Sequence, residues 1–442
     1  MCNPLATLTT NVSGKWCFGA REPEGLPALR KQALATACGE ETDGSDRSWR
    51  ELPSWQRDLA DPILSRLVEE HAEALAAGPS REVYSSGFKP NLLTDAGMDW
   101  VCGNATQIDF FNAAKLGTGT TPTVYDSGEI TASASGTALT ASSSFFTSGM
   151  VGMVIQWDGG AKAYIQSVTD GTNAVLATSV TASGAFAVHA VNRTGLANLV
   201  ATQTTKYTNV VARSSGVSKR TMSWVFAIET VNRNYTEGGI FCNWDGSGFN
   251  TALSLFLITG GTVTILIGQQ ATLGYEFSAS VNTSVVTATW PMSEYDTTDP
   301  QGWDSTSGQH QVVSLRSLDG MTAYHGASLL PSAYDSGYIT TTSSLVGYTD
   351  DTDRIFVSDS DRIGSSVNGS KSTYVSKTFY RDSTYTFSST HSNTTAIRSF
   401  ILTDSHSHIA WQFLFDTAKG KTSNQSLSLT IRRALNRVLV NP

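Results

Sequence analysis

Hydrophobic and polar positions alternate through much of the second half of the chain. In "TLGYEFSASV", Leu273, Tyr275, Phe277 and Ala279 fall on one side, and Thr272, Gly274, Glu276 and Ser278 on the other. That two-residue period predicts a strand with one buried face. "TMSWVFAIETV", "GGIFCNW", "ALSLFLI", "TVTILIG", "VVTATW", "IAWQFLFD" and "SLSLTIRRAL" also read as strands. Such a series, with turn residues between its members, predicts an antiparallel sandwich. Earlier, "MVIQW" and "AKAYIQSV" flank Asp158-Gly159-Gly160, and "NAVLATSV" follows Asp170-Gly171-Thr172. Asp-Gly steps between β-branched runs are hairpin signals, so a small meander is expected.

The helical period appears only near the start. "LPALRKQALATAC" spaces Leu26, Leu29, Ala33, Leu34 and Ala37 along one face, with Gly39 as the stop. In the next stretch Leu59, Ile63, Leu67 and Leu75 form a stripe that Gly78-Pro79 ends, and Pro62 should kink it or start a second helix. These helices are short and charged. They form either an arm packed on the body or a docking and oligomerisation arm. "LLTDAGMDWVCGN" predicts one more short helix, opened by Thr94 or Asp95.

The expected fold class is therefore mainly β: an antiparallel β-sandwich body with a small β-meander module and an N-terminal helical arm. Four segments follow: residues 1–80 as N-terminal segment and arm, 81–126 as helix and connector, 127–191 as the meander, and 192–442 as the main β domain. Residues 292–399 are looser and rich in Ser, Thr, Asp and Tyr. A stretch of that length must hold strands of its own or make a long surface excursion.

Composition narrows the function. Only 15% of the 442 residues are charged, against roughly 25% in ordinary globular proteins. The net charge of −8 implies no basic face, so direct nucleic-acid binding is not expected. Cys2, Cys17, Cys38, Cys102 and Cys242 are scattered and odd in number, which suits reduced thiols made in a reducing cytoplasm. The start shows no secretion signal. The most apolar window, Ala252 to Gly268, is broken by Gly260 and Gly261, so it reads as two strands and no membrane insertion is expected.

Candidate chemistry is thin. "LGTGTTPT" has the look of a phosphate loop, but no lysine follows Gly119, Pro122 deletes an amide donor, and the third glycine of a dinucleotide site is missing. "GKT" at Gly420 to Thr422 lacks its upstream glycine. The loop is expected to be a turn in which Gly117 and Gly119 supply unusual backbone angles. His406 and His408 could share a strand face, without a third zinc ligand nearby. Asp350, Asp351, Asp353, Asp359 and Asp361 form either a calcium loop or a solvated one, partly neutralised by Arg354 and Arg362. Glu237, Glu276 and Glu294 are possible acids, but nothing singles them out. No catalytic, cofactor-binding or metal residues are assigned, and no enzyme activity is expected. Trp290, Tyr295, Trp303, Tyr324, Tyr334 and Tyr338 lie in or beside the looser stretch. They are candidate receptor or glycan contacts, with burial in the sandwich as the alternative.

One resemblance extends this. Residues 92–128, with "LLTDAG" and "LGTG.t.P", resemble the opening of tailed-bacteriophage virion proteins. Residues 203–244, carrying Asn234-Tyr235-Thr236-Glu237-Gly238, are similar to an aromatic-rich strand pair in them. "GTVTILIGQQATLGYEFSASV" and the closing "SLSLTIRRALNR" resemble two further segments, and residues 145–186 are similar to small β inserts of tail and fibre proteins. The arm, Leu26 to Ala77, and residues 292–399 depart from the pattern. The resemblance implies a non-enzymatic virion component of the tail fibre, tail-tip or adaptor type. Such a protein is made in the host cytoplasm, forms homo-oligomers and contacts other virion proteins. The alternative is a receptor- or glycan-binding protein for host attachment, touching host surface glycan. A third reading, a glycan depolymerase, lacks the sequence period of a β-helix.

Overall fold

A computed structural model describes residues 6–40, 42–103, 110–244, 249–258, 264–290, 292–296, 306–313, 336–346, 348, 362–391, 394–403 and 409–441. The fold is mainly β. Its largest sheet runs in the order Thr208–Ser214, Val217–Ile228, Gln270–Val281, Ala6–Pro23, Gln425–Arg437, Tyr380–Phe387, Ser370–Lys371. Ser80–Ser85 and Lys89–Pro90 also pair with Ala6–Pro23. The pairings are antiparallel except one: Ala6–Pro23 runs parallel to Gln425–Arg437, Ala6 facing Ile431 and Val12 facing Arg437. A five-stranded sheet (Leu199–Gln203, Ala113–Gly117, Glu237–Trp244, Phe249–Leu257, Leu92–Leu93) and a six-stranded sheet (centred on Thr394–Thr403 and Ile409–Lys421) cover one face of the large sheet.

Alternation explains the layers. Leu273, Tyr275 and Ala279 are fully buried, while Thr272, Gly274 and Glu276 are partly exposed on the other face. The core closes between sheets: Trp16 stacks on Phe256 at 4.6 Å, and Tyr385 meets Phe400 at 5.2 Å. Offset and edge contacts at such distances are the favoured aromatic geometries.

Residues 1–80 are more than an arm. Ala6–Pro23 lies at the centre of the large sheet, between Gln270–Val281 and Gln425–Arg437. Five α-helices occur among the described residues: α1 (Leu26–Cys38), α2 (Asp46–Glu51), α3 (Ser54–Glu70), α4 (Ala72–Ala77) and α5 (Asp95–Gly103). Gly39 ends α1 in the left-handed conformation (φ 70°), its N–H donating to the Ala35 carbonyl. Pro62 neither breaks nor restarts α3, which runs through it. The missing bond falls on the solvent side, where water can satisfy the Asp58 carbonyl. The helices pack on the body: Leu26, Leu34, Trp49 and Leu64 share a buried cluster with Leu266 and Ile267. A buried ion pair fastens α1, Arg30 Nη1 donating to Glu22 Oε2 at 2.7 Å. Burial lowers the Arg30 pKa, and Glu22 opposes that shift.

Val124–Ala141, Asn173–His189, Val154–Trp157 and Lys162–Val168 form a separate four-stranded sheet with its own core around Phe146, Trp157 and Phe186. The last residues fasten it to the body. Leu439 enters its core, and Asn441 joins His189 Nε2 at 3.0 Å and donates to Asp158 Oδ1 at 2.9 Å. Residues 292–399 hold strands of both main sheets, including Met292–Asp296, Ser336–Thr340 and Tyr380–Phe387.

Candidate functional site

The "LGTG" loop does hold an anion, but the anion belongs to the chain. Glu237 is fully buried. Its Oε1 accepts from the backbone N–H of Gly119 at 3.1 Å and of Asn198 at 2.8 Å, and its Oε2 accepts from Arg193 Nη2 at 3.1 Å. Arg193 also donates to the Thr121 carbonyl at 2.7 Å. Paired this way, a buried carboxylate and the amides around it satisfy one another. The expected unusual backbone angles at Gly117 and Gly119 are not found: neither is among the positive-φ glycines. They are glycine because there is no room. A Cβ on Gly119 would lie 2.3 Å from Glu237 Oε1, and one on Gly117 would lie 2.4 Å from the Asn198 carbonyl oxygen.

A second node joins α5, the meander and the closing strand. The Thr94 hydroxyl caps α5 by accepting from the Gly97 N–H at 3.0 Å. Asp95 Oδ1 accepts from Arg437 Nη1 at 2.9 Å and from the Tyr164 hydroxyl at 2.9 Å. Arg437 also donates to the Leu93 carbonyl at 2.9 Å. Burial, with the Asp95 charge adding to it against Arg437, pushes the Tyr164 hydroxyl well up, so it stays a donor. Both nodes are inward and structural.

A solvent-facing hollow lies elsewhere, on the outer face of the large sheet, with a volume of about 340 Å³. Gly274 is its floor, opposite Cys17 on one side and Ser223 on the other. Phe88 and Ser85 form one rim; Tyr207 and Thr208 form the other. Arg21 stacks on the Tyr207 ring at 4.8 Å and donates to the Ser80 carbonyl at 3.1 Å, which fixes both side chains. Arg21 also lowers the Tyr207 pKa through its hydrogen bond and charge. Thr208 and Ser223 hydroxyls are 2.6 Å apart, and Cys17 Sγ is 3.1 Å from Ser85 Oγ.

No family model, curated protein or solved structure matches the chain.

None of the described residues among the six aromatics singled out from the sequence lines this hollow. Trp290 ends an edge strand of the six-stranded sheet, paired with Thr306. Tyr295 pairs with Ser426 in the large sheet. Tyr338 is buried in the six-stranded sheet, with the Arg362 guanidinium 4.8 Å over its ring. Trp303, Tyr324 and Tyr334 lie outside the described residues, as do His406, His408 and the Asp350 to Asp361 run. Among the described residues no three His, Cys, Asp or Glu side chains cluster as a metal site, and no helix is long and apolar enough to cross a membrane. Cys102 and Cys242 are buried free thiols whose pKa burial pushes up.

Proposed function

We propose that the chain is a non-enzymatic structural component of a tailed-bacteriophage virion, tail-associated and held in the particle by subunit contacts. One observation supports this most: the five segments that carry the resemblance meet one another at the fold's buried junctions. Gly119 of the first meets Glu237 of the second. Asp95 of the first meets Arg437 of the last and Tyr164 of the meander. Phe111 of the first packs on Tyr275 and Phe277 of the remaining one, at 5.9 and 5.2 Å. Chance likenesses in Gly- and Thr-rich strands would fall anywhere on the fold. Likenesses that meet at buried junctions support reading them together, as parts of one scaffold.

The buried charges fit this role. Glu22, Glu237 and Arg437 are spent joining distant parts of the chain. A particle protein made in a reducing cell has to hold its shape outside it by such packing. The Thr208–Ser214 strand at the edge of the large sheet, with exposed Val210, offers a place for a neighbouring subunit. Mass spectrometry of purified particles from the phage that encodes the chain tests the reading. The chain should be present at a fixed copy number, and its absence from intact particles would refute it. The hollow between Phe88 and Tyr207 favours a second reading, that the same protein also binds host glycan.

A further inference from the structure

The geometry points to the hollow over Gly274 as a binding groove for a neutral saccharide, with a sugar ring lying on the glycine floor between Phe88 and Tyr207. This rests on the glycan-binding reading and not on the particle assignment, which a purified chain does not need.

Three observations converge. The rims carry two exposed rings, Tyr207 at 62% exposure with one face stacked by Arg21, and Phe88 at 46%. Aromatic rings with one apolar body and a polar end are enriched at interfaces. The ring of a pyranose offers an apolar C–H face to such a π-surface and a rim of hydroxyls to polar groups. The floor and walls supply those groups: the Ser85, Thr208 and Ser223 hydroxyls, the Arg21 guanidinium and the Glu82 carboxylate. Each hydroxyl can both donate and accept. Arg21 and Glu82, opposite one another in register, leave the groove without net charge, which favours a neutral sugar over an acidic one.

The third observation is the floor. At Gly274 a Cβ would meet Cys17 Cβ at 3.4 Å and Phe88 Cζ at 3.6 Å, both ordinary contacts, and its φ is not positive. The edge of the Phe88 ring therefore borders the glycine floor, and the hollow opens beside it. The strands beneath are paired on both sides within the sheet, so their backbones have no edge to offer a peptide strand. Recognition falls to side chains, as for a small polar ring. The volume, 340 Å³, sits near the lower end of roughly 300–1,000 Å³ for small-molecule sites.

The test titrates the purified full chain with lactose, maltotriose and the N-acetylglucosamine trimer, with glucuronate as the acidic control, by calorimetry and ligand-observed NMR. At least one neutral sugar should bind. Gly274→Leu, which fills the floor, and Tyr207→Ala, which removes one rim, should each weaken it about tenfold or more, with thermal midpoints near wild type. Saturating sugar should slow alkylation of Cys17 and leave Cys38 unaffected. If Gly274→Leu fails to fold, the exposed Tyr207→Ala decides. Binding of glucuronate alone, no sugar binding, or binding that survives both variants overturns the proposal, and none of these bears on particle copy number.

Discussion

Gly119→Ala separates two explanations of the "LGTG" loop. If the space beside Gly119 were open, alanine at its ordinary φ would be neutral or stabilise by about 0.4–1 kcal/mol through the unfolded chain. The structure predicts the opposite sign. The new methyl would sit 2.3 Å from Glu237 Oε1, 2.6 Å from Glu237 Cδ and 2.7 Å from Ala197 Cβ, so the carboxylate has to move. Moving it weakens the bonds from the Gly119 and Asn198 N–H groups. Hydrogen bonds to a charged acceptor contribute about 1.5–3 kcal/mol each. Their complete loss sets a ceiling of about 3–6 kcal/mol, and partial relaxation puts the expected cost at about 2–4 kcal/mol. At roughly 2–4 °C per kcal/mol for a large domain, the thermal midpoint should fall by about 4–16 °C. Glu237→Ala is itself destabilising, because it strands Arg193 and two amides, but it opens the contested space. In that background Gly119→Ala should cost less, by about 1–3 kcal/mol of coupling. Calorimetry on the four proteins of this cycle, at one scan rate, reads the result. An unchanged or raised midpoint for Gly119→Ala, or strict additivity in the cycle, would refute the close-approach argument.

Three further outcomes are expected. Deleting residues 438–442 removes Leu439 and Asn441 from the meander, so hydrogen exchange should rise in Val154–Trp157 and stay unchanged in Gln270–Val281; equal exchange in both would contradict the fastening role. Burial first, then the facing Arg437 and Lys162 charges, lower the His189 pKa below 6.5, against the opposing Asn441 bond. Its neutral form is the folded one, so stability should hold above about pH 6.5 and decline as pH falls through the lowered value; His310, also lowered by burial, adds the same sign. His189→Gln should flatten the midpoint-versus-pH curve relative to wild type, and parallel curves would remove His189 from the account. Finally, Gly159→Ala meets nothing within 4 Å and should be silent, whereas Gly268→Ala, at φ +86° and 2.1 Å from Leu26 Cδ1, should destabilise strongly and loosen α1; matched midpoints for the two would count against both readings.

The strands with a plain two-residue period were legible in the sequence, Gln270–Val281 above all, because each buried position there is apolar. Ala6–Pro23 was not, although it lies at the centre of the same sheet. Its inward face includes Thr10, Gly14 and Glu22, all buried, and those residues disguise an otherwise regular series through Val12, Trp16 and Phe18. Glu22 is tolerated inside because Arg30, Arg81 and Gln269 reach it. In the loop, the reason for the glycines was misread. Two glycines one residue apart suggest backbone freedom, and the carboxylate that crowds Gly119 lies 118 residues away. The groove was hidden for the same kind of reason. Its residues come from five stretches of the chain, and the one that makes room, Gly274, is marked by a side chain it lacks. Tyr207 and Phe88 lie outside the aromatic-rich stretch that drew attention.

The central claim is that the chain is built into a particle. Its most direct test is immunogold electron microscopy of purified phage with an antibody to the native chain, alongside quantitative mass spectrometry of the same particles. The account predicts label at one fixed place on the tail and a constant number of copies per particle. Label confined to the soluble fraction of the lysate, with intact infectious particles lacking the chain, would contradict it.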